Sequence, residues 1–324
     1  MNTFESIRTK LEPELNRLND RIQRQLDTSN PLLQSIVKES LRAKGKLIRP
    51  IIVILSARML GDVNDHVIEA AAAVELLHNA SLIHDDVIDM TAVRRGNPTV
   101  NAGWGNHVAV LVGDYFVSSA LQLAINTAKM PIVEQVCSLG KNLSLGELDQ
   151  VYNAYHHTLA EDTYFRVIGY KTASLFMACA RLGAYAQDID NAESHALAEF
   201  ARILGLAFQM RDDIFDYFAQ SAVGKPTGND LREGKITLPL LHVLLDNNAP
   251  GHDDMLQLAR TEQLADDDIQ RLIRYARDNG GIEYTYACMN ELRDRATDTL
   301  DIFPDSEYKR DLLALFDFII ERKY

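Results

Sequence analysis

The chain has 324 residues, of which 47% are hydrophobic and 24% are charged, and its formal net charge is −13. This composition predicts a globular protein with a large hydrophobic core and excludes an intrinsically disordered chain. The strong negative charge argues against nucleic acids and anionic membrane surfaces as main partners, because both are themselves anionic.

The three cysteines, Cys137, Cys179 and Cys288, lie far apart, and their spacing is not that of a metal site. Free thiols in a reducing compartment are the simplest interpretation. The N-terminal residues are polar and of mixed charge, which does not predict a signal peptide, and no apolar stretch is expected to approach the length of a membrane span. We therefore expect a cytoplasmic protein without an integral membrane segment.

Nearly the whole chain shows the apolar periodicity of α-helices, and alternating strand patterns are not found in the sequence. The predicted helices cover residues 67–89, 108–128, 173–186, 197–218 and 312–320. Several are apolar on almost every side, which is typical of helices buried inside a large bundle. The sequence therefore predicts an all-α fold. Because the chemically distinctive residues between Lys46 and Lys235 need one shared cavity, residues 1–324 are predicted to form a single domain.

The first distinctive segment, residues 45–50, places Lys46 and Arg49 three residues apart, directly before a strongly apolar run. Alone, such a pair is more simply explained as two basic side chains whose stems cover apolar surface while their charges reach water. Further along, His78 lies seven residues before Asp85 and therefore on the same stripe of a helix. A lone histidine of this kind is more often a hydrogen-bonded core residue than a ligand.

Two copies of one acidic signature are the most informative feature of the chain. They are Asp85-Asp86-Val87-Ile88-Asp89 and Asp212-Asp213-Ile214-Phe215-Asp216. The first and last carboxylates of each copy lie one helical turn apart, where like charges repel. Magnesium takes oxygen ligands and commonly joins one or two carboxylates to the phosphates of a substrate. A single copy has the alternative of a solvated helix end, which is how we interpret the aspartates at 266–268, but two full copies predict metal sites.

Basic residues follow both acidic signatures. Arg94-Arg95-Gly96 follow the first, and an arginine fork holds phosphate oxygens at two points. Lys171-Thr172 precede an apolar helix, and Lys225 and Lys235 lie in a Gly/Pro-rich loop of the kind that closes over charged substrates. Each of these basic segments is weak evidence for a binding site when taken alone. Together with the acidic signatures they predict a site for two diphosphates.

In this order, the motifs GKxxRP, DDxxD followed by RRG, KT, FQxxDDxxD and GKxxxxD with a later lysine resemble those of the trans-isoprenyl diphosphate synthases. The resemblance runs from about residue 45 to residue 239, and its FQ pair is Phe208-Gln209. Two residues separate the acid pair from the last acid in the first signature. That spacing is similar to long-chain polyprenyl synthases and shorter than in bacterial farnesyl synthases.

The resemblance implies an isoprenoid-synthase-type helical bundle around a deep central cavity, assembled as a homodimer. It also implies about three Mg²⁺ ions in each active site. Asp85 and Asp89 would hold them on one wall and Asp212 on the other. The supporting or water-mediated ligands would be Asp86, Asp213 and Asp216.

The resemblance also divides the basic residues between two pockets. With the metals, the groups that bind the allylic diphosphate would be Arg94, Lys171, Lys225 and Lys235. The groups that bind isopentenyl diphosphate would be Lys46, Arg49, His78 and Arg95. Phe208 and Gln209 would also line the substrate site, and Thr172 and Gln209 would offer oxygens to the allylic cation.

The implied reaction is repeated head-to-tail condensation of isopentenyl diphosphate onto an allylic diphosphate primer, giving an all-trans polyprenyl diphosphate. One alternative is a geranylgeranyl diphosphate synthase. A class I terpene cyclase is disfavoured because it has no need of a second diphosphate pocket. A regulatory subunit of a heteromeric synthase is disfavoured because such a subunit tolerates the loss of metal ligands, and both acidic signatures are intact here.

Ala80 and Ser81 bear on product length because they stand about one turn before Asp85, where a growing chain would first meet the tunnel floor. Short-chain members of the resembled family place bulky side chains there. Both residues are small, which predicts a product longer than geranylgeranyl diphosphate, in the hexaprenyl to octaprenyl range. The alternative is that they are small only because helices pack closely at this point.

Overall fold

The computed structural model describes residues 3–40, 45–94, 96–156, 158–218, 227–261 and 263–321. These residues are mostly helical, with only two short strands, which confirms the all-α prediction. The helices are, in chain order, α1 (Thr3–Lys10), α2 (Glu12–Gln25), α3 (Pro31–Ser40), α4 (Ile48–Leu60), α5 (Asp65–Ile88), α6 (Val100–Trp104), α7 (Asn106–Asn126), α8 (Met130–Tyr155), α9 (Glu161–Ile168), α10 (Ser174–Tyr185), α11 (Ala192–Phe215), α12 (Asn229–Arg232), α13 (Leu238–Leu245), α14 (His252–Ala259), α15 (Asp266–Asp278), α16 (Gly281–Thr299) and α17 (Glu307–Glu321).

Two short strands and one π-helical turn lie between these helices. The strands β1 (Val93–Arg94) and β2 (Asn97–Pro98) pair antiparallel. A π-helical turn, Gly169–Ala173, joins α9 to α10. It ends at the first residue of the helix that was predicted from residue 173, and such turns are frequent at functional sites. The aspartates at 266–268 form the first turn of α15, which confirms their interpretation as a helix N-terminus.

The chain divides into two compact units, which are described separately. Unit 1 comprises Met1–Lys141, Phe176–Ala201 and Leu300–Leu315. Unit 2 comprises Asn142–Leu175, Arg202–Thr299 and Phe316–Tyr324. The single domain predicted for residues 1–324 stays a prediction.

The core of unit 1 is built on α4 and α5. Residues 51–55 of α4 are fully buried, as are the alanines at 70–73 of α5. The side chain of Asn64 accepts a hydrogen bond from the Val67 N–H at 3.1 Å and so caps the start of α5. α5 and α7 approach closely at Gly113, where an added Cβ would lie 2.1 Å from Nε2 of His84. This tight packing fixes the end of α5 that carries the first acidic signature.

One helix, α7, is long and apolar enough to cross a membrane, judged over the described parts of the chain. The expectation that no apolar stretch approaches that length is therefore wrong for Asn106–Asn126. The core helix of a soluble protein passes the same test, and 44% of the most apolar window of α7 is buried. Apolar side chains also remain exposed along one side of α7. We call Val110, Leu111 and Ile125 the α7 face.

Candidate active site

Both acidic signatures stand at the C-terminal end of a long helix. Asp85 and Asp86 occupy the last turn of α5, and Asp89 follows its final residue. Asp212 and Asp213 occupy the last turn of α11 in the same way. The predicted helices continued to residues 89 and 218, whereas the structure ends α5 one residue earlier and α11 three residues earlier.

This placement is electrostatically unfavourable for the protein alone. The C-terminal end of a helix carries partial negative charge, which favours basic residues there and disfavours acids. The last turns of α5 and α11 contain no basic residue. A bound cation would relieve the repulsion at each end, so both ends have the charge and the oxygen ligands that suit a hard divalent metal.

In the first signature, Asp86 is engaged with a basic residue. It is 5% exposed, and its Oδ1 accepts a hydrogen bond from Nε of Arg94 at 2.8 Å. The side-chain amide of Asn101 in α6 donates to the Asp86 carbonyl at 3.0 Å and ties α6 to the end of α5. Asp86 therefore holds the Arg94 guanidinium at the C-terminal end of α5. The neighbouring Arg95 lies outside the described residues.

The other basic residues of unit 1 lie around the start of α4 and on α5. Lys46 is exposed just before α4, and Arg49 lies in its first turn. The Arg49 guanidinium sits 5.5 Å from the ring centroid of Phe176. His78 is buried, with 8% of its surface exposed. Ala80 is fully buried on the same helix, whereas Ser81 is partly exposed and its hydroxyl donates to the His78 carbonyl at 2.9 Å.

In unit 2, the structure brings together several predicted site residues. Nε2 of Gln209 donates to Oδ1 of Asp213 at 2.8 Å, and the Thr172 hydroxyl donates to Oε1 of Gln209 at 2.7 Å. The Tyr164 hydroxyl donates to Oδ2 of Asp213 at 2.6 Å. Burial raises the pKa of Asp213 to about 7, although the hydrogen bonds from Tyr164 and Gln209 act to lower it.

Asp216 has a structural partner at each oxygen. Its Oδ1 accepts the N–H of Asn229 and its Oδ2 accepts the N–H of Asp230, each at 3.0 Å. These are N–H groups at the start of α12 that have no partner within the helix. Burial raises the pKa of Asp216, and the backbone bonds lower it. Asp216 thus fastens the end of α11 to the segment that leads to Lys235.

Asp230 is a buried carboxylate that the sequence motif includes without singling it out. Burial raises its pKa well above the usual range, and the nearby charges of Asp213 and Asp216 raise it further. Lys235 lowers it, and Lys235 itself forms an ion pair with Glu233. The only sequence signal for Asp230 is its place in GKxxxxD. Lys225, from the same motif, lies outside the described residues.

Lys171 lies in the π-helical turn and has two partners on α8. Its ammonium forms an ion pair with Glu147 and donates to Oε1 of Gln150 at 3.4 Å. The two segments approach closely because residue 146 is glycine: a Cβ there would lie 2.7 Å from the Lys171 backbone nitrogen. Neither acceptor was predicted, because the sequence gives no sign that residue 171 and α8 are neighbours.

A cavity of about 180 Å³ in unit 2 gathers these groups. Its polar lining includes Tyr164, Lys171, Thr172, Gln209, Asp213, Asp230 and Lys235. Val167, Ile168 and Leu241 add apolar surface. Among the residues that the structure describes, no group of three or more His, Cys, Asp or Glu side chains is arranged to hold a metal ion by itself. Magnesium commonly completes its coordination with water and substrate phosphate oxygens, so the carboxylates described above still fit it.

Comparisons with known proteins agree with this chemistry. Residues 30–276 match the family model described as polyprenyl synthetase. An octaprenyl diphosphate synthase of Haemophilus influenzae is 35% identical over 323 residues, which cover 99% of this chain and 98% of that protein.

Two solved structures share the fold. A polyprenyl synthase from Caulobacter crescentus CB15, complexed with calcium and isoprenyl diphosphate, superposes with a TM-score of 0.92 at 31% identity, over 99% of this chain and 98% of that one. A geranylgeranyl pyrophosphate synthase from Bacteroides thetaiotaomicron superposes with a TM-score of 0.86 at 36% identity, over 99% of this chain and 100% of that one.

Proposed function

The chain belongs to the polyprenyl synthetase family, and from that membership we propose that it condenses isopentenyl diphosphate repeatedly, head to tail, onto an allylic diphosphate to give a long all-trans polyprenyl diphosphate. The prenyltransferase class predicted from the motifs is confirmed by the full-length similarity to the Haemophilus influenzae octaprenyl diphosphate synthase. The observation that carries the proposal is the pair of acidic signatures, each at the C-terminal end of a long helix whose last turn contains no basic residue.

We assign Mg²⁺ as the cofactor, with about three ions per active site. The direct ligands in this proposal are Asp85, Asp89 and Asp212. Asp216 takes part through its remaining lone pairs or through water, because both of its oxygens already accept backbone hydrogen bonds. When bound, the metal neutralises charge that develops on the leaving diphosphate.

The basic residues bind the two substrates. Arg94, Lys171, Lys225 and Lys235 are assigned to the allylic diphosphate, and Lys46, Arg49, His78 and Arg95 to isopentenyl diphosphate. In support of the first group, Lys171 and Lys235 line the same cavity of unit 2 and are already paired with carboxylates. A diphosphate would replace those carboxylates as the anionic partner.

We assign Thr172, Gln209 and Phe208 to the part of the site that surrounds the reacting allylic carbon. As the allylic C–O bond breaks, the oxygens of Thr172 and Gln209 stabilise the positive charge, and the apolar wall of the cavity excludes water that would capture the cation. The isopentenyl double bond then attacks. The departed diphosphate is the base that takes the final proton, so no histidine, cysteine or serine nucleophile is required.

We further propose a cytoplasmic homodimer in which a second copy covers the α7 face. Its residues Leu111 and Ile125 are 68% and 61% exposed, and exposed apolar surface of this kind marks an interaction site. Two identical faces pack together in a twofold dimer. The charge of −13 makes an anionic membrane surface a poor alternative partner.

The function is tested by incubating the purified chain with labelled isopentenyl diphosphate, one allylic primer at a time and Mg²⁺, followed by chain-length analysis of the product. We expect hexaprenyl to octaprenyl diphosphate, and no product when a chelator removes the metal. Geranylgeranyl diphosphate as the end product would support the alternative represented by the Bacteroides thetaiotaomicron structure. Cyclic products formed without isopentenyl diphosphate would indicate a cyclase. Activity only with an added subunit would indicate a heteromeric synthase.

A further inference from the structure

The hydrogen-bonded series of side chains in the unit 2 cavity ends at a tyrosine that belongs to none of the sequence motifs. Tyr164 lies on α9, is 8% exposed, and donates its hydroxyl hydrogen to Oδ2 of Asp213 at 2.6 Å. Asp213 accepts a second bond from Gln209 at 2.8 Å, and Gln209 accepts one from Thr172 at 2.7 Å. All four side chains line the cavity of about 180 Å³. They form one continuous chain from α9 to the π-helical turn.

The donors and acceptors in this chain have a defined direction. Both oxygens of Asp213 accept hydrogen bonds, so Gln209 turns its NH₂ group towards Asp213 and its carbonyl towards Thr172. Thr172 has one hydroxyl hydrogen, and it is donated to that carbonyl. The lone pairs of the Thr172 oxygen therefore remain available to the cavity as acceptors.

The direction matters because a cation is stabilised by oxygen lone pairs and destabilised by a hydroxyl hydrogen that points at it. We propose that Tyr164 is a positioning residue: by donating to Asp213 it holds Gln209 in one orientation, and through Gln209 it presents the Thr172 oxygen to the allylic cation. This inference rests on the proposed function, which places the cation beside Thr172.

The first test is Tyr164→Phe, which removes only the hydroxyl group. We expect kcat for condensation to fall about tenfold to hundredfold, as for other losses of a preorganised group near the reacting atoms. The KM for each diphosphate should change less than about threefold, because no phosphate-binding lysine or arginine belongs to the chain. Allylic alcohol released per condensation should rise, because a cation held less well is captured more often by water.

The second test asks whether Tyr164 acts through Thr172. Thr172→Val removes the hydroxyl, and Thr172→Ser keeps it. We expect Thr172→Ser to retain most of kcat and Thr172→Val to lose it. The double variant Tyr164→Phe/Thr172→Val should be no slower than Thr172→Val alone, because residues that act in one chain are not additive.

Tyr217→Phe is the matched control. Tyr217 is as deeply buried, and its hydroxyl pairs with Oγ1 of Thr237 at 3.0 Å. We expect its kcat to stay within about twofold of the unsubstituted protein. Thermal unfolding of every variant corrects each kcat for the folded fraction.

Two outcomes would overturn the inference. One is an unchanged kcat for Tyr164→Phe. The other is a multiplicative loss in the double variant, which would mean that Tyr164 and Thr172 act independently. Either result leaves the activity of the unsubstituted protein intact. Failure of the proposed function would instead appear as an unsubstituted protein that makes no polyprenyl diphosphate.

Discussion

Asp85 and Asp212 occupy equivalent positions in two different helices, each in a last turn with a second acid beside it. At such a position a carboxylate opposes the helix dipole, at a cost of about 0.3–1 kcal/mol for an exposed group. Through the helix dipole, each of these carboxylates acts to lower the free energy of unfolding of the metal-free protein, whereas the proposed Mg²⁺ site requires both of them.

Asp85→Asn or Asp212→Asn should therefore separate activity from stability. We expect kcat to fall at least about hundredfold, because a proposed metal ligand is lost, and the metal-free thermal midpoint to stay equal or rise. Asp267→Asn is the control, since Asp267 lies at a helix N-terminus, where the dipole favours an acid. It should lower the midpoint slightly and leave kcat unchanged. Near-normal turnover of either signature variant in limiting Mg²⁺ would contradict the assignment.

Substitution of each basic residue should raise the KM of one substrate more than the KM of the other. Arg49→Ala should raise KM for isopentenyl diphosphate more than KM for the allylic primer, and Lys235→Ala should do the reverse. A buried, charge-assisted contact to phosphate is worth about 2–3 kcal/mol, and steady-state kinetics with each substrate varied in turn measures the difference. Arg310, which forms an exposed pair with Asp305, provides the control variant Arg310→Ala. Equal weakening of both substrates by Arg49→Ala and Lys235→Ala would contradict the two-pocket division.

At the scale of helices, α5 and the residue that follows it carry both the proposed metal ligands Asp85 and Asp89 and the residues predicted to limit product length. In the structure, Ala80 and Ser81 differ in how far they are buried. Ala80 is fully buried, which favours the alternative that close packing makes it small, whereas Ser81 is partly exposed. A larger side chain at position 80 would overpack the core at a cost of about 1–3 kcal/mol.

Ser81→Phe is therefore the informative substitution. We expect it to shorten the product to farnesyl or geranylgeranyl diphosphate with fast first condensations, because the ring would block elongation without touching the acids. Ala80→Phe should shorten the product too, but with a lower thermal midpoint. Ser81→Thr adds one methyl group and should leave product length unchanged. Chain-length analysis of the three variants decides the point, and long products from Ser81→Phe would mean that the chain does not grow past this residue.

The long helices were predictable because their apolar periodicity is a local property: the prediction for residues 67–89 corresponds to α5 and that for 108–128 to α7. The π-helical turn could not be predicted from the sequence, because the close approach of Lys171 to Gly146 is set by tertiary packing. The β1–β2 pair is too short for alternation to be visible. Motif order placed Thr172 and Gln209 in one site, but Tyr164 contacts a residue 49 positions away and belongs to no motif.

At the scale of the whole molecule, the α7 face is the proposed interface of the homodimer. Leu111→Asp should convert the proposed homodimer into a monomer, because a charge buried in an apolar interface without a partner is strongly unfavourable. Light scattering coupled to size-exclusion chromatography gives the mass directly. Ile302 is an exposed apolar residue outside this face, so Ile302→Asp should leave the mass unchanged. A dimer that persists in Leu111→Asp would mean that another surface forms the interface.

Because Asp216 accepts two backbone hydrogen bonds, amide hydrogen exchange can report on the second acidic signature. Its carboxylate protects the N–H groups of Asn229 and Asp230, so their deuterium uptake reports the state of that side chain. Asp216→Ala should speed exchange at both amides about fivefold, the equivalent of one lost helix cap. Asp246→Ala removes a similar cap on the Asn248 N–H and should leave residues 229 and 230 unaffected. Unchanged uptake in Asp216→Ala would mean that solvent already competes for these bonds. Exchange at two amides thus gives a spectroscopic signal for events at the end of α11 without any substrate turnover.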